Sequence, residues 1–220
     1  MPRLADLPTG APVDALRPML LDKRKHPPFD SPDWAFEVKY DGWRLLAEFG
    51  AGAPQLRTRQ GLDASAWFPE IGRALSAFKG GPHVVDGEVC VLDDLGRSDF
   101  ERLQERARRK CWYAGCDPVV FCIFDVLVQS GRSVTGLGYT ERKKRLARIF
   151  TPKPTRSLLV VQSIPDTGKE LFAHAVALEL EGIVGKRKDS VYLPGERTEF
   201  WRKVRRPGAV PPERFRFGGR

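Results

Sequence analysis

Residues 119–127 read Val-Val-Phe-Cys-Ile-Phe-Asp-Val-Leu, a nearly continuous apolar run interrupted only by Asp125. A run this short and this apolar suits a strand buried on both faces, so structure must cover it from either side. Around it the chain is punctuated by 18 Pro and 21 Gly, which favours a broken, sheet-rich architecture over a bundle of long helices. Other segments follow the strand pattern between turn residues: 35–39, 43–49, 54–58, 84–92, 158–162, 182–186 and 200–204.

Helices fall between them. Ser98 or Asp99 can cap one that runs through Lys110, with Phe100, Leu103 and Ala107 on one stripe. Its other faces carry Arg102, Arg106, Arg108, Arg109 and Lys110. Thr140 is placed to cap a second helix, whose apolar side is Leu146, Ile149 and Phe150. Asp166 or Thr167 opens a third, with Leu171, Phe172, Ala175 and Val176 inward. Strands and helices that do not alternate strictly indicate an α+β fold with antiparallel sheets. Residues 1–33 are proline-rich and read as an arm packed on the domain, anchored by Pro18-Met19-Leu20-Leu21. Residues 34–206 form the domain itself, and 207–220 a basic Pro/Gly-rich tail with Arg214, Arg216 and Arg220.

Composition narrows the function classes. With 41% hydrophobic and 30% charged residues, a core can form and wholesale disorder is excluded. No apolar run approaches the ~18 residues of a membrane span, and the N-terminus lacks a signal-peptide segment. A soluble, cytoplasmic protein with no membrane partner is expected. Cys90, Cys111, Cys116 and Cys122 are too sparse for a disulfide scaffold. The C-x4-C spacing of Cys111 and Cys116 has no His26, His83 or His174 at ligand spacing, which makes reduced structural thiols the expectation. The formal charge of +9 suits a polyanionic partner, nucleic acid or nucleotide, with a merely solubilising surface as the alternative.

The residues with chemistry gather at strand edges. Lys39 ends a strand and is followed by Tyr40-Asp41-Gly42-Trp43-Arg44, so a turn puts an amine at the rim of a sheet. Asp86-Gly87-Glu88, the segment from Glu181 to Lys186, and Trp201-Arg202-Lys203-Val204-Arg205 also pair charge with a strand edge. Together they supply cations for phosphate and carboxylates for a metal.

In order, these segments read K-x-D-G-x-R, T-R-x-G, D-G-E, F-D-x-L, E-G-I-V-x-K and W-x-K-V-R. This set resembles the covalent nucleotidyltransferases, the superfamily of ATP-dependent DNA ligases, RNA ligases and mRNA capping enzymes. The stretches 36–44 and 181–192, with Pro18-Met19-Leu20 and the FERLQER helix at 100–106, are most similar to the bacterial ligase D type used in end joining. The likeness covers about residues 18–206. A lone K-x-D-G is weak, whereas the ordered set is specific. The resemblance implies an ATP-grasp-like fold, two antiparallel sheets flanked by helices with the nucleotide between them. It makes 34–206 an adenylation domain.

Residue by residue, the resemblance makes Lys39 the nucleophile that takes AMP from ATP as a lysyl phosphoramidate. A free lysine has a pKa of about 10.4 and must attack as the neutral amine, which nearby Lys186, Lys203 and a divalent cation would favour. Arg44 and Arg59 match positions that hold the nucleotide phosphate or the nicked-DNA phosphate. Glu88 matches the residue on the ribose hydroxyl and Phe124 the aromatic on adenine, with Val184 over the other face of the base. Glu37, two before the nucleophile and on its side of the strand, matches an adenine-reading position. Glu181 matches the carboxylate that holds Mg2+ or Mn2+, with Glu88 as a second ligand. Lys186, Lys203 and Arg205 complete the nucleotide-binding set. Asp41 and Asp86 are expected to stabilise the turns that present Lys39 and Glu88.

Two departures qualify the likeness. The last motif normally has lysine at both charged places, where this chain has Lys203 and Arg205. Full ligases continue into an OB-fold domain, and residues 206–220 cannot build one. The expectation is weak self-adenylation, poor nick sealing alone, and assistance from an OB-fold or end-joining partner in trans on nicked or broken DNA. A non-catalytic or partner-dependent nucleic-acid-binding module, with the 102–110 helix face and the tail on phosphates, is a second reading. An RNA ligase-type or capping nucleotidyltransferase is a third.

Overall fold

The computed structural model describes residues 3–151 and 155–209. Among them the chain forms β1 (Ser31–Lys39), β2 (Trp43–Phe49), β3 (Gln55–Thr58), α1 (Pro69–Leu75), β4 (His83–Cys90), α2 (Phe100–Arg108) and β5 (Val120–Gln129). There follow β6 (Arg132–Ser133), α3 (Tyr139–Ile149), β7 (Leu158–Val160), β8 (Ile164–Asp166), α4 (Gly168–Ala177), β9 (Gly182–Arg187) and β10 (Trp201–Arg205). One sheet has the order β10-β9-β1-β8 and the other β3-β2-β4-β5-β6, with β7 added to β5. Every pairing is antiparallel except β5 with β7. The expected mixed fold with antiparallel sheets is the one the chain adopts.

Strand alternation sorts the residues between two layers. In β2, Leu45, Ala47 and Phe49 enter the largest core with Ile71 and Leu75 of α1 and Leu103 and Ala107 of α2. Leu46 faces the other way, toward Trp201, Tyr192 and Leu127. In β1, Trp34 and Phe36 pack with Ile183, Val204 and Ala175 of α4, which leaves Glu37 and Lys39 on the opposite face. Each sheet therefore covers one face with helices, and the two remaining faces meet around Trp201. Burying a large apolar side chain is worth about 1.5–3 kcal/mol, so the helix-covered faces hold the sheets while their inner faces carry the polar groups.

β5 is irregular where it matters. Its register against β4 shifts between Val84 and Val85 and again between Asp86 and Gly87, leaving Leu127 and Phe124 as extra residues. Bulges of this kind re-aim side chains. Here Phe124 packs with Trp201 across the inner faces, while the adjacent Asp125 is fully buried against Arg142 of α3 at 2.8 and 2.9 Å. Arg142 also donates to the carbonyls of Leu137 and Ser190 at 2.6 and 2.7 Å, tying α3 to the chain after β9.

The N-terminal segment carries two short 3-10 turns, Leu4–Asp6 and Val13–Ala15. It then runs beside β10, with Leu20 N–H donating to the Glu196 carbonyl at 2.7 Å and Asp22 N–H to the Trp201 carbonyl at 2.9 Å. That contact closes the free edge of β10.

Several local expectations change. Helix α3 starts at Tyr139 with Gly138 at its N-cap; Thr140 lies inside the first turn, where its hydroxyl donates to the Lys188 carbonyl. Asp99 does cap α2, accepting from Arg102 N–H at 2.9 Å. Arg106, read as surface charge, is buried and paired with Glu70 at 3.0 Å, because α1 packs against that side of α2. Val176, expected inward, is 42% exposed. All four cysteines are free, with Cys90 and Cys122 buried and Cys111 exposed, so a structural role does not extend to Cys111. The tail arginines Arg214, Arg216 and Arg220 lie outside the described residues. No helix among the described residues is long and apolar enough to cross a membrane.

Candidate active site

Lys39 ends β1 opposite Gly182, the first residue of β9, and Gly182 is also paired with Arg205 of β10. Three strands thus converge at one point. The Lys39 ammonium donates to Glu181 Oε2 at 2.6 Å, and Arg205 Nε donates to Glu181 Oε1 at 2.9 Å. The Glu181-Gly182 pair has a backbone reason: Gly182 has φ +146°, and a Cβ there would lie 2.1 Å from the Val204 carbonyl oxygen. Only glycine permits that approach. Gly42, in the turn after Lys39, is equally constrained, since a Cβ would fall 2.0 Å from the Val89 carbonyl oxygen.

A narrow cleft opens beside Lys39 and brings together Glu37, Lys39, Arg44, Glu88, Phe124, Val184 and Lys186. Leu21, Tyr40 and Trp201 also line it and were not foreseen as site residues. Trp201 had a signal, being the aromatic that opens W-x-K-V-R; Leu21 and Tyr40 had none beyond adjacency to a motif. The other expected residues sit around the rim. Arg59 lines an adjoining groove with Arg44, Glu88 and Trp67. Lys203 and Arg205 line a basic groove with Lys23 and Lys25, and Glu181 lines a third with Lys39 and Asp99.

Two buried networks hold the cleft walls. The Glu37 carboxylate is occupied inside the protein: Tyr139 OH donates at 2.6 Å, Lys186 approaches at 2.6 Å, and Lys143 of α3 adds a second ion pair. Burial pushes the Glu37 carboxyl upward, but Lys143 and Lys186 more than offset it, and the group lies below its ordinary range. Lys186 is itself 2% exposed. Its ammonium lies 4.4 Å from the Phe124 ring centroid and 4.3 Å from that of Trp201. Burial, only partly countered by Glu37 and Asp125, pulls it down to about 8.

Across the cleft, Arg44 grips Asp86 with Nε at 2.5 Å and Nη2 at 2.6 Å and stacks 4.4 Å from the Phe124 ring centroid. Asp86 is fully buried in mid-strand and also accepts from Tyr192 OH at 2.6 Å. It therefore braces Arg44 across the sheet and stabilises no turn. Asp41 does belong to the turn after Lys39, and its N–H donates to the Ser98 hydroxyl at 3.1 Å.

Glu88 differs from the other acids. Among the described residues none donates a hydrogen bond to its carboxylate. Burial pushes it up to about 7; Arg44 and Lys39 pull it down, and Glu181 and Asp86 push it further up. Such a carboxylate is poised to accept a hydroxyl or a cation. Among the described residues no cluster of three or more His, Cys, Asp or Glu is suited to a metal. Glu88 and Glu181 nevertheless supply hard oxygen donors, and Mg2+ is commonly held by one or two carboxylates plus substrate phosphates and water. The two carboxylates are of the chemical kind such an ion takes, Glu88 with its oxygens open and Glu181 with its oxygens engaged by Lys39 and Arg205.

Two facing antiparallel sheets with a strand-end lysine at the mouth of an aromatic, charged cleft define a nucleotidyltransferase domain. The family model described as ATP dependent DNA ligase domain matches residues 18–205, and the chain belongs to that family. It is 38% identical over 191 residues to the multifunctional non-homologous end joining DNA repair protein LigD of Mycobacterium tuberculosis (strain ATCC 25618 / H37Rv), covering 86% of this chain and 24% of that protein. It is 34% identical over 187 residues to the SPbeta prophage-derived DNA ligase-like protein LigB of Bacillus subtilis (strain 168), covering 85% of this chain and 66% of that protein. Among solved structures, a mycobacterial DNA ligase D complexed with ATP and MES aligns with TM-score 0.75 and 34% identity, over 89% of this chain and 62% of that one. The chain spans about a quarter of the length of its LigD relatives.

Proposed function

We propose that this chain carries out the adenylation step of DNA strand joining. Lys39 Nζ, as the neutral amine after releasing a proton to solvent, attacks the α-phosphorus of ATP. The P–N bond forms, the nitrogen loses its second proton, and the P–O bond breaks with its electron pair leaving on pyrophosphate. AMP then passes from Lys39 to the 5′-phosphate of nicked or broken DNA. The observation that carries this reading is Lys39, held 2.6 Å from Glu181 at the lip of the cleft walled by Phe124, Val184, Lys186 and Glu88.

Each wall has a task in this reading. Phe124 and Val184 flank the base, and the carboxylate of Glu88 receives a ribose hydroxyl. Glu37, its oxygens satisfied by Tyr139, Lys143 and Lys186, acts by keeping Lys186 in place and charged at the base of the cleft. Arg44 is fixed by Asp86 and keeps guanidinium donors to spare for phosphate, with Arg59 beside it. Lys203 and Arg205 neutralise charge growing on the α-phosphate, where positioning and electrostatics supply most of the catalysis. A bound Mg2+ or Mn2+ at Glu181 and Glu88 would polarise the phosphoryl oxygens and favour loss of the lysine proton. The same reading puts the chain in the cytosol, working with an OB-fold domain or an end-joining partner.

Incubation with labelled ATP and divalent metal tests the assignment, with intact mass as a second readout. A covalent adenylate that disappears in Lys39→Ala is the expected result. No adduct, or an adduct that survives that substitution, would defeat the reading.

A further inference from the structure

Three grooves surround the cleft, and they differ in charge: one is lined by Lys39 and Glu181 themselves, one adjoins Arg44, and one is reached through Arg205, which holds Glu181. The one toward α2 sets six carboxylates against the three cations Lys39, Arg97 and Arg206, a net acidic wall that is unfavourable for polyphosphate. The one past Arg44 and Arg59 contains Glu88. The third lies between the N-terminal arm and β10 and is lined by Lys23, Lys25, His26, Lys203, Arg205 and Arg206 with no carboxylate among its described lining.

That composition follows from how the arm is fastened. Lys203 Nζ donates to the Asp22 carbonyl at 2.8 Å, which sets Lys23 and Lys25 beside β10. The Asp22 carboxylate is consumed locally by Arg24 Nε and His26 Nε2, each at 2.8 Å. Lys23 and Lys25 are exposed and, among the described residues, have no ion-pair partner. Burial first, and then the Arg205, Arg197 and Lys39 cations, push the Lys203 ammonium below its ordinary range against a smaller opposing pull from Asp22. The groove is therefore short of anions, and it adjoins the nucleophile through Arg205, which donates to the same Glu181 carboxylate as Lys39.

We propose that this groove seats the diphosphate that leaves ATP, and that Lys23 and Lys25 of the arm are its binding residues alongside Lys203 and Arg206. The inference rests on the adenylation chemistry proposed above. When Lys39 Nζ bonds to the α-phosphorus, the opposite P–O bond breaks and its electron pair departs with pyrophosphate. An in-line displacement needs the nucleophile and leaving group on opposite sides, and a cationic pocket beyond Lys203 stabilises that departing charge. The arm lysines belong to none of the six motifs, so they act through placement alone.

The full chain, adenylated with ATP and freed of nucleotide, is titrated with inorganic pyrophosphate and Mg2+, and loss of the adduct is followed by intact mass. Lys23→Ala/Lys25→Ala should raise the pyrophosphate concentration for half-maximal reversal by roughly five- to tenfold, with the rate at saturation unchanged. Lys144→Ala, an exposed lysine on α3, serves as the charge control and should match the parent. Calorimetry of pyrophosphate binding to the Lys39→Ala protein measures the groove without any adenylation, so failure of the chemistry and failure of the groove are separate results. Equal pyrophosphate affinity in the parent and the double variant would overturn the proposal. So would a double variant that loses only salt-dependent affinity for nicked duplex, because the groove would then belong to DNA.

Discussion

Replacing Glu88 with glutamine should make the protein more stable at neutral pH while impairing its chemistry. Burial, with Glu181 and Asp86 adding to it against Arg44 and Lys39, raises this carboxyl from 4.5 to about 7 in the folded chain. At about 1.4 kcal/mol per pH unit, ionising it in the fold costs up to roughly 3 kcal/mol relative to the unfolded chain. Glu88 is partly open to the cleft, and solvent screening reduces this to about 1–2 kcal/mol. The sign follows from proton counting. Above pH 4.5 the unfolded chain releases the proton while the folded chain keeps it until about 7, so stability falls as pH rises across that window. Glu88→Gln removes the loss, and its advantage should be small near pH 4.5, grow toward pH 7 and level off beyond. Urea unfolding of both proteins across that range measures it directly. An advantage that does not change with pH, or a variant less stable at pH 8 than the parent, would refute the account. Saturating nucleotide and Mg2+ should shrink the difference, because either ligand repays the ionised carboxylate.

Two further changes test the scaffold. Asp125→Ala should cost about 3–5 kcal/mol in urea unfolding, since it strands Arg142 as a buried, unpaired charge, and Asp125→Ala/Arg142→Leu should recover part of it; a single-variant loss under about 1 kcal/mol would contradict the buried pair. Gly42→Ala should slow adenylation on the order of a hundredfold, because the new methyl would meet the Val89 carbonyl at 2.0 Å and push the Lys39 turn out of place; an unchanged rate of labelling by ATP would refute the close approach.

Local pattern carried much of the fold. β2 follows its expected limits because Leu45, Ala47 and Phe49 alternate with residues of the other face. Helix α1 gave no such signal: it is short, buries only Ile71 and Leu75, and has Phe68 without a side-chain hydrogen bond at its N-cap. β8 was equally silent, since all three of its residues are exposed. The bulges that turn Phe124 and Asp125 to their separate partners depend on β4 and could not be read from β5 alone.

The site divides in the same way. Sequence by itself determined which charges lie on or beside strands, and in what order: Lys39, Glu88, Glu181, Lys203 and Arg205 each belong to a short motif whose composition and alternation are local properties. Tertiary structure alone decided which charges neutralise one another. Glu37 meets Lys143 across 106 residues, Asp86 meets Arg44 across 42, and Lys39 meets Glu181 across 142. Charge is a property of the residue, whereas its pairing and desolvation are properties of the folded surroundings, and these separate a spare cation in the arm groove from one spent inside the cleft wall.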